Sequence, residues 1–373
     1  MFTTAITFIV LLSVLVFVHE LGHFIAARRS GMNVEEFGFG FPPKLWGIKK
    51  GKTLYTINWI PLGGFVRIKG ESGENTDHPD SFAVQSLPKR VLVVSAGVIM
   101  NVVFAWFLLS VGYIVGLPQI IEGEDGYRQV SDAQVHVYDV LLDSPAEAAG
   151  LEPGDTIISM DGLAFGTIGD VIAYTSLHEG ESIEVGYERM SGEQGTLSVT
   201  PEVIKEIERP GIGASLYETG LVSYPWYVAP IEGAKSTFVF LLEILRALGG
   251  FFRDLIVTQK VSSDLSGPVG IAVLTGEVAN LGFRYLLQFA ALLSLNLAVV
   301  NFLPFPALDG GRMVFLLAEA VRRGKAVSRR IEAVTHSLGF AFLMLVIVAV
   351  TYRDLVRYGD RILHTLSALV GMN

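Results

Sequence analysis

Cysteine is absent from all 373 residues, which excludes disulfide staples, thiolate metal sites and a cysteine nucleophile together. The redox compartment stays open on that evidence. Charge is scarce as well: Asp, Glu, Lys and Arg make up 17% of the chain, against about a quarter in an average soluble protein. That shortage argues against a purely soluble enzyme. Apolar residues reach 51%, so the chain does not match a disordered one, which needs low hydrophobicity and high net charge. A basic stripe is missing too; the formal charge is −9, and nothing points to nucleic acid. The charge is unevenly placed. Residues 121–217 hold 19 acids against 4 basic residues, leaving 18 against 24 elsewhere. An acidic, soluble insert therefore interrupts a greasy and weakly basic chain.

Four apolar stretches reach the roughly 20 residues that a helix needs to cross a bilayer. They run from about Thr4 to Ala27, Val91 to Leu117, Phe283 to Leu303 and Ala333 to Thr351. The first has neither a charged leading region nor a small-residue cleavage site, so it reads as a span rather than a secretory signal. Basic residues orient the spans. Residues 28–90 carry ten Lys/Arg and residues 310–332 carry six, so both loops are expected on the cytoplasmic side. The acidic insert and both termini then face outside. A fifth apolar stretch, Lys235–Lys260, is interrupted by Glu243, Arg246, Arg253 and Asp254. It is read as an amphipathic helix lying in the outer interface.

The first span contains His19-Glu20-Leu21-Gly22-His23, an H-E-x-x-H pattern. Histidines at i and i+4 project from one helix face and can bind one zinc ion, while the glutamate between them can serve as general base. Two satisfied core histidines beside a buried acid are the alternative in a soluble helix. Inside a span that alternative loses weight, because ionisable groups there are costly and tend to be functional.

Catalytic zinc needs a third protein ligand and an open position. The remaining histidines (78, 136, 178, 336 and 364) are scattered and mostly outside the spans. Asp309 is the better candidate. It follows Pro304 and Pro306, which break the third helix, and precedes Gly310 and Gly311. By the charge argument that helix ends on the cytoplasmic side, the side of the HExxH turn. An Asp in an ordinary Pro/Gly turn is the competing reading. Serine and aspartyl intramembrane chemistries fit less well: no Ser–His pair stands out in the spans, and Asp309 has no acidic companion.

These features together resemble the site-2 protease family of intramembrane zinc metalloproteases: HExxH in a first span, Asn301-Phe-Leu-Pro-Phe-Pro-Ala-Leu-Asp309-Gly and an outside insert. Within it, the chain is most similar to the bacterial regulator of sigma-E protease type. The resemblance implies that His19, His23 and Asp309 bind Zn2+ and that Glu20 is the general base. It also implies that Asn296 and Asn301 hold or orient the substrate backbone, for which interhelical hydrogen bonding is an equal alternative. Implied substrates are single-span membrane proteins, such as a pre-trimmed anti-sigma factor, and remnant signal peptides, cleaved in the bacterial inner membrane.

Gly38-Phe-Gly-Phe-Pro-Pro43 is too rich in turn formers for a helix. Thr53–Ile60 and Phe65–Lys69 are strand-like and flank Pro61-Leu-Gly-Gly64, which reads as a β-hairpin. It resembles the family's membrane-re-entrant β-structure, whose strand edge could take an unwound substrate by β-addition; an ordinary surface hairpin is the alternative. Asp143–Leu151 and Pro153–Gly162 look like a PDZ domain, with Gly211–Ser215 supplying a further strand. Such a domain either binds peptide termini or acts as a size filter.

The expected architecture is an α-helical polytopic membrane protein with four transmembrane helices, a membrane-associated β-hairpin and an inserted α+β PDZ domain. Its parts are residues 1–117, the PDZ domain 121–217, the interfacial helix 231–260, and 283–373. A non-catalytic PDZ scaffold and a metal transporter are the rival classes. The first has no use for Glu20, and the second would need more than one intramembrane cluster.

Overall fold

A computed structural model describes residues 2–71, 78–121, 128–189, 192–204, 209–257, 267–323 and 327–370. In chain order, helix α1 (Phe2–Arg29) leads into strands β1 (Val34–Lys50) and β2 (Thr53–Ile68) and helix α2 (Leu87–Val115). Then come β3 (Leu117–Ile120), β4 (Gln129–Val140), α3 (Pro145–Ala149), β5 (Thr156–Met160), β6 (Leu163–Ala164) and α4 (Ile168–Leu177). Strands β7 (Ile183–Glu188), β8 (Gln194–Val199), β9 (Glu202–Ile204), β10 (Arg209–Gly211) and β11 (Ala214–Ser223) follow. The chain closes with α5 (Ala229–Val257), α6 (Pro268–Leu281), α7 (Phe283–Phe302), α8 (Asp309–Val321) and α9 (Arg329–Val370). Two compact units result: residues 1–110 with 230–373, and residues 111–229.

In the first unit, four helices among the described residues are long and apolar enough to cross a membrane: Thr3–Arg29, Leu87–Val115, Phe283–Phe302 and Arg330–Gly359. These are the four stretches expected. The protein is a multi-pass membrane protein. Helix α5 is not among them despite its 29 residues, because charges break its apolar run. Its start is tied to α2: Trp106 Nε1 donates to the Pro230 carbonyl at 2.8 Å, and a Cβ on Gly233 would collide with Ser110. Further along, Phe238, Phe252 and Ile256 are exposed. The last three residues expected for this helix, 258–260, lie outside the described ones, as does Lys325 of the basic loop.

Helix α6 has no counterpart in the sequence reading. Its 14 residues are too few to span, yet it is seated against α1, where a Cβ on Gly276 would strike Thr4. Its first turn is satisfied from afar, since the Gly270 amide donates to Asp354 Oδ2 of α9 at 2.7 Å. Asp354 is 2% exposed.

The β-structure corrects the expected hairpin. The turn lies at Gly51–Lys52, between Lys50 and Thr53, and both halves of β2, 53–60 and 64–68, pair with 34–50. Phe37 pairs with both Tyr55 and Val66, so residues 36–39 lie between the two halves of β2. Thr53–Ile60 and Phe65–Ile68 are therefore not each other's partners. The Pro61–Gly64 segment instead docks on α1: Ser13 Oγ donates to the Pro61 carbonyl, and Gly63 (φ +101°) has no room for a Cβ beside Val16. The Gly38–Pro43 stretch, correctly excluded from helix, lies within β1.

In the second unit a sheet runs in the order β3-β11-β4-β5-β7-β8, with β6 on β5. Val135, Val137, Ile157, Met160 and Val185 form its core with Val171 of α4. Helix α3 opens with Ser144 accepting from the Glu147 amide and Pro145 at its first position, and it closes on Gly150 in the left-handed region. Each of these is the Asp143–Leu151 pattern written as geometry.

Candidate metal centre

The site forms where α1 and α2 approach closely. A Cβ on Gly22 would run into the Ala96 carbonyl, so the helix backbones are nearly in contact there. From α1, His19 and His23 point into the contact and are 6% and 8% exposed. From the far end of the chain, Asp309 begins α8 after Leu308. Behind it, Cβ atoms on Gly310 and Gly311 would collide with the Leu303 and Phe305 carbonyls, so only glycine permits this turn.

Asp309 Oδ2 lies 3.0 Å from His19 Nε2 and 3.2 Å from His23 Nε2, and the two Nε2 atoms are 3.2 Å apart. Among the described residues this is a cluster whose ligand atoms all lie within 4.8 Å and can hold a metal ion. The other ring nitrogens are committed. His23 Nδ1 is 2.8 Å from the Val93 carbonyl, which can only accept, so the ring proton is on Nδ1 and Nε2 presents a lone pair. His19 Nδ1 is 3.2 Å from the Asn101 amide nitrogen, and Asn101 Oδ1 is buried with no partner. Two imidazole nitrogens and one carboxylate oxygen are donor types that catalytic zinc sites use. Gly97 completes the cradle: its missing Cβ would fall on His23 Nε2. The residues fit the metal.

Glu20 faces the same space, held by the Val66 amide, which donates to Oε2 at 3.1 Å. A cavity of about 570 Å³ is lined by Glu20, His23, Phe65, Val66, Asp309 and Arg312, among others, and Arg312 is ion-paired with Glu71. A second, of about 300 Å³, is lined by Val16, His19, Glu20, Leu297, Asn301 and Asp309. Asn301 is thus brought to the site. Asn296 is exposed, lines neither cavity, and donates to the Leu292 carbonyl of its own helix at 3.1 Å.

Several site residues carry no motif in the sequence. Gly97 and Asn101 stand four apart on α2, and Asn101 is the one side-chain amide of that span. Ser294 of α7 fixes this stretch by donating to the Asn101 carbonyl at 2.8 Å. Arg90 of α2 makes a two-pronged pair with Glu319 of α8. The spacing of Gly97 and Asn101 was the available signal; the two ion pairs left none.

The chain matches peptidase family M50 over residues 7–346. It is 33% identical to the zinc metalloprotease RasP of Geobacillus kaustophilus, with 95% of this chain and 98% of that protein covered. It is 31% identical, with the same coverage, to the regulator of sigma-W protease RasP of Bacillus subtilis. It is also similar to the crystal structure of the PDZ domain of an SdrC-like protein from Listeria monocytogenes, at 29% identity over 24% of this chain and 92% of that one, with a TM-score of 0.22. The expectation drawn from HExxH and the Asp309 motif therefore holds: the chain belongs to peptidase family M50, the site-2 protease family, and is a zinc metalloprotease.

Proposed function

We propose that His19, His23 and Asp309 hold the zinc ion and that the protein cleaves single-span membrane proteins within or near their transmembrane segments. The observation that carries this is the convergence of three lone-pair donors within 4.8 Å, beside the one glutamate of the HExxH turn. When bound, zinc supplies Lewis-acid polarisation of the scissile carbonyl and lowers the pKa of the attacking water. Glu20 takes the proton of that water and delivers it to the leaving amine nitrogen. With Nε2 given to the metal, His19 carries its proton on Nδ1, and Asn101 accepts it once its amide is turned so that the otherwise partnerless Oδ1 takes the place of Nδ2. Asn301, which lines the smaller cavity, orients the substrate backbone, and so does Asn296, five residues earlier on α7.

A regular helix cannot be cut, because its carbonyls are hydrogen-bonded internally. The edge at Phe65–Val66, lining the Glu20 cavity, suits an unwound segment added as a strand. This reading takes β1 and β2 as the membrane-associated hairpin, 121–217 as a PDZ domain and 231–260 as an interfacial helix between the membrane parts 1–117 and 283–373. It sets the protein in the bacterial inner membrane, with termini and insert periplasmic and the site near the cytoplasmic side, as the sixteen basic residues of the two loops favour. An anti-sigma factor is the favoured substrate class, in keeping with the name of the Bacillus subtilis relative, and remnant signal peptides are a second.

The test is cleavage of a tagged single-span substrate by purified protein in liposomes, wild type beside Glu20→Gln. The expected result is a cut inside the span that slows about 10²–10⁴-fold in the variant while bound zinc is unchanged. Equal rates would remove Glu20 from the mechanism.

A further inference from the structure

Among the described histidines outside the HExxH turn, His336 of α9 reaches the Asp309 turn. Two residues before Asp309, Ala307 has φ +79°, in the left-handed region that a residue with a Cβ rarely occupies. Its amide donates to His336 Nδ1 at 2.9 Å. That bond puts the ring proton on Nε2, which is buried with no partner, so the ring serves here as an acceptor. The same face of α9 grips the preceding residues. Gly339 lies so close to Pro306 that a Cβ would collide with it, and the Phe342 ring is 5.8 Å from Phe305. On the other side, Phe315 of α8 is 5.5 Å from the imidazole. Positions 336, 339 and 342 thus bracket 305–307, the segment that fixes where α8 begins and where its first residue points.

We propose that His336 is a positioning residue for the metal centre: it holds Ala307 in the left-handed conformation that aims the Asp309 carboxylate at His19 and His23. The proposal rests on Asp309 being a zinc ligand. Ala307 lies between α7 and α8, outside the hydrogen-bond ladder of either helix. The acceptor comes from 29 residues downstream, on another helix.

Zinc affinity of the full chain, measured by competition with a fluorescent chelator, tests it beside the cleavage rate and the melting temperature. His336→Phe keeps the ring volume but removes the acceptor, and it should weaken zinc about 10- to 100-fold, as outer-shell changes do. His336→Asn returns an acceptor near the Nδ1 position and should stay within about threefold of wild type. Ala307→Gly combined with His336→Phe should regain most of the loss, because glycine holds a positive φ unaided. Normal zinc affinity in His336→Phe, with affinity lost in Asp309→Asn, would overturn the proposal and leave the ligand assignment standing. Normal affinity in Asp309→Asn would overturn the assignment itself. Should His336→Phe fail to fold, a 10-fold loss in a folded His336→Asn would count against the proposal.

Discussion

Histidine is treated in opposite ways in the two units. In the insert, His136 lies partly buried in β4 with both ring nitrogens satisfied: Nδ1 is 2.9 Å from Thr156 Oγ1 and Nε2 is 2.7 Å from Thr219 Oγ1. Hydroxyls donate or accept as required, so a neutral imidazole between two of them lacks nothing. In the membrane unit, His19 and His23 each commit one nitrogen to α2, and their remaining nitrogens converge with a carboxylate oxygen. Two ring nitrogens and a carboxylate oxygen gathered in a buried place suit a cation. The destination of the second nitrogen, rather than burial alone, sets His136 apart from the two histidines proposed as ligands.

The hardest way to break this contrast is steric. Gly97→Ala sets a methyl against His23 Nε2, and zinc affinity should fall by at least about 100-fold, with cleavage lost in step. Chelator competition reads the first effect and the substrate assay the second. If the alanine protein keeps its zinc, the cradle is not where the metal sits. A milder change sharpens the contrast instead. Asn101→Leu takes away the partner of His19 Nδ1 and should cost about 10- to 100-fold in zinc affinity, with the melting temperature followed alongside to detect a packing effect.

The smallest effect belongs to the insert. Burial holds the His136 pKa below its ordinary 6.5. The folded insert therefore keeps the neutral ring while the unfolded chain takes up the proton first. Its contribution is full above 6.5 and is lost as the pH falls through that value toward the lower folded pKa. The urea midpoint of the strand signal should drop between about pH 7.5 and about pH 5.5, and part of that drop should vanish in His136→Gln. An unchanged pH profile in the variant would show that His136 is not what senses acid there.

What could be read from the sequence was what lies close in sequence or follows from composition. Spans follow from apolar length, and the facing of His19 and His23 follows from a spacing of four on a helix. Asp309 came within reach because prolines and glycines mark a helix end. The sheet pairing was misread since Pro61–Gly64 has the chemistry of a turn, yet its glycines serve the close approach to α1 rather than a hairpin. Gly97 and Asn101 look like ordinary features of an apolar span; which face of α2 meets the histidines is decided by packing. His336 reads as one of the scattered histidines, since its bond to Ala307 exists only once α9 is folded against the turn.

The bond between Gly270 and Asp354 bears on the order of assembly. The first turn of α6 finds this acceptor 84 residues further along the chain. During synthesis, a nascent chain that has just delivered α6 has not yet made the carboxylate that caps it. The short helix can settle beside α1 early, but its leading amide waits for the last long helix to arrive. Maturation of the fold is thereby tied to completion of the C-terminal span, and a ribosome stalled before Asp354 would leave that helix start open.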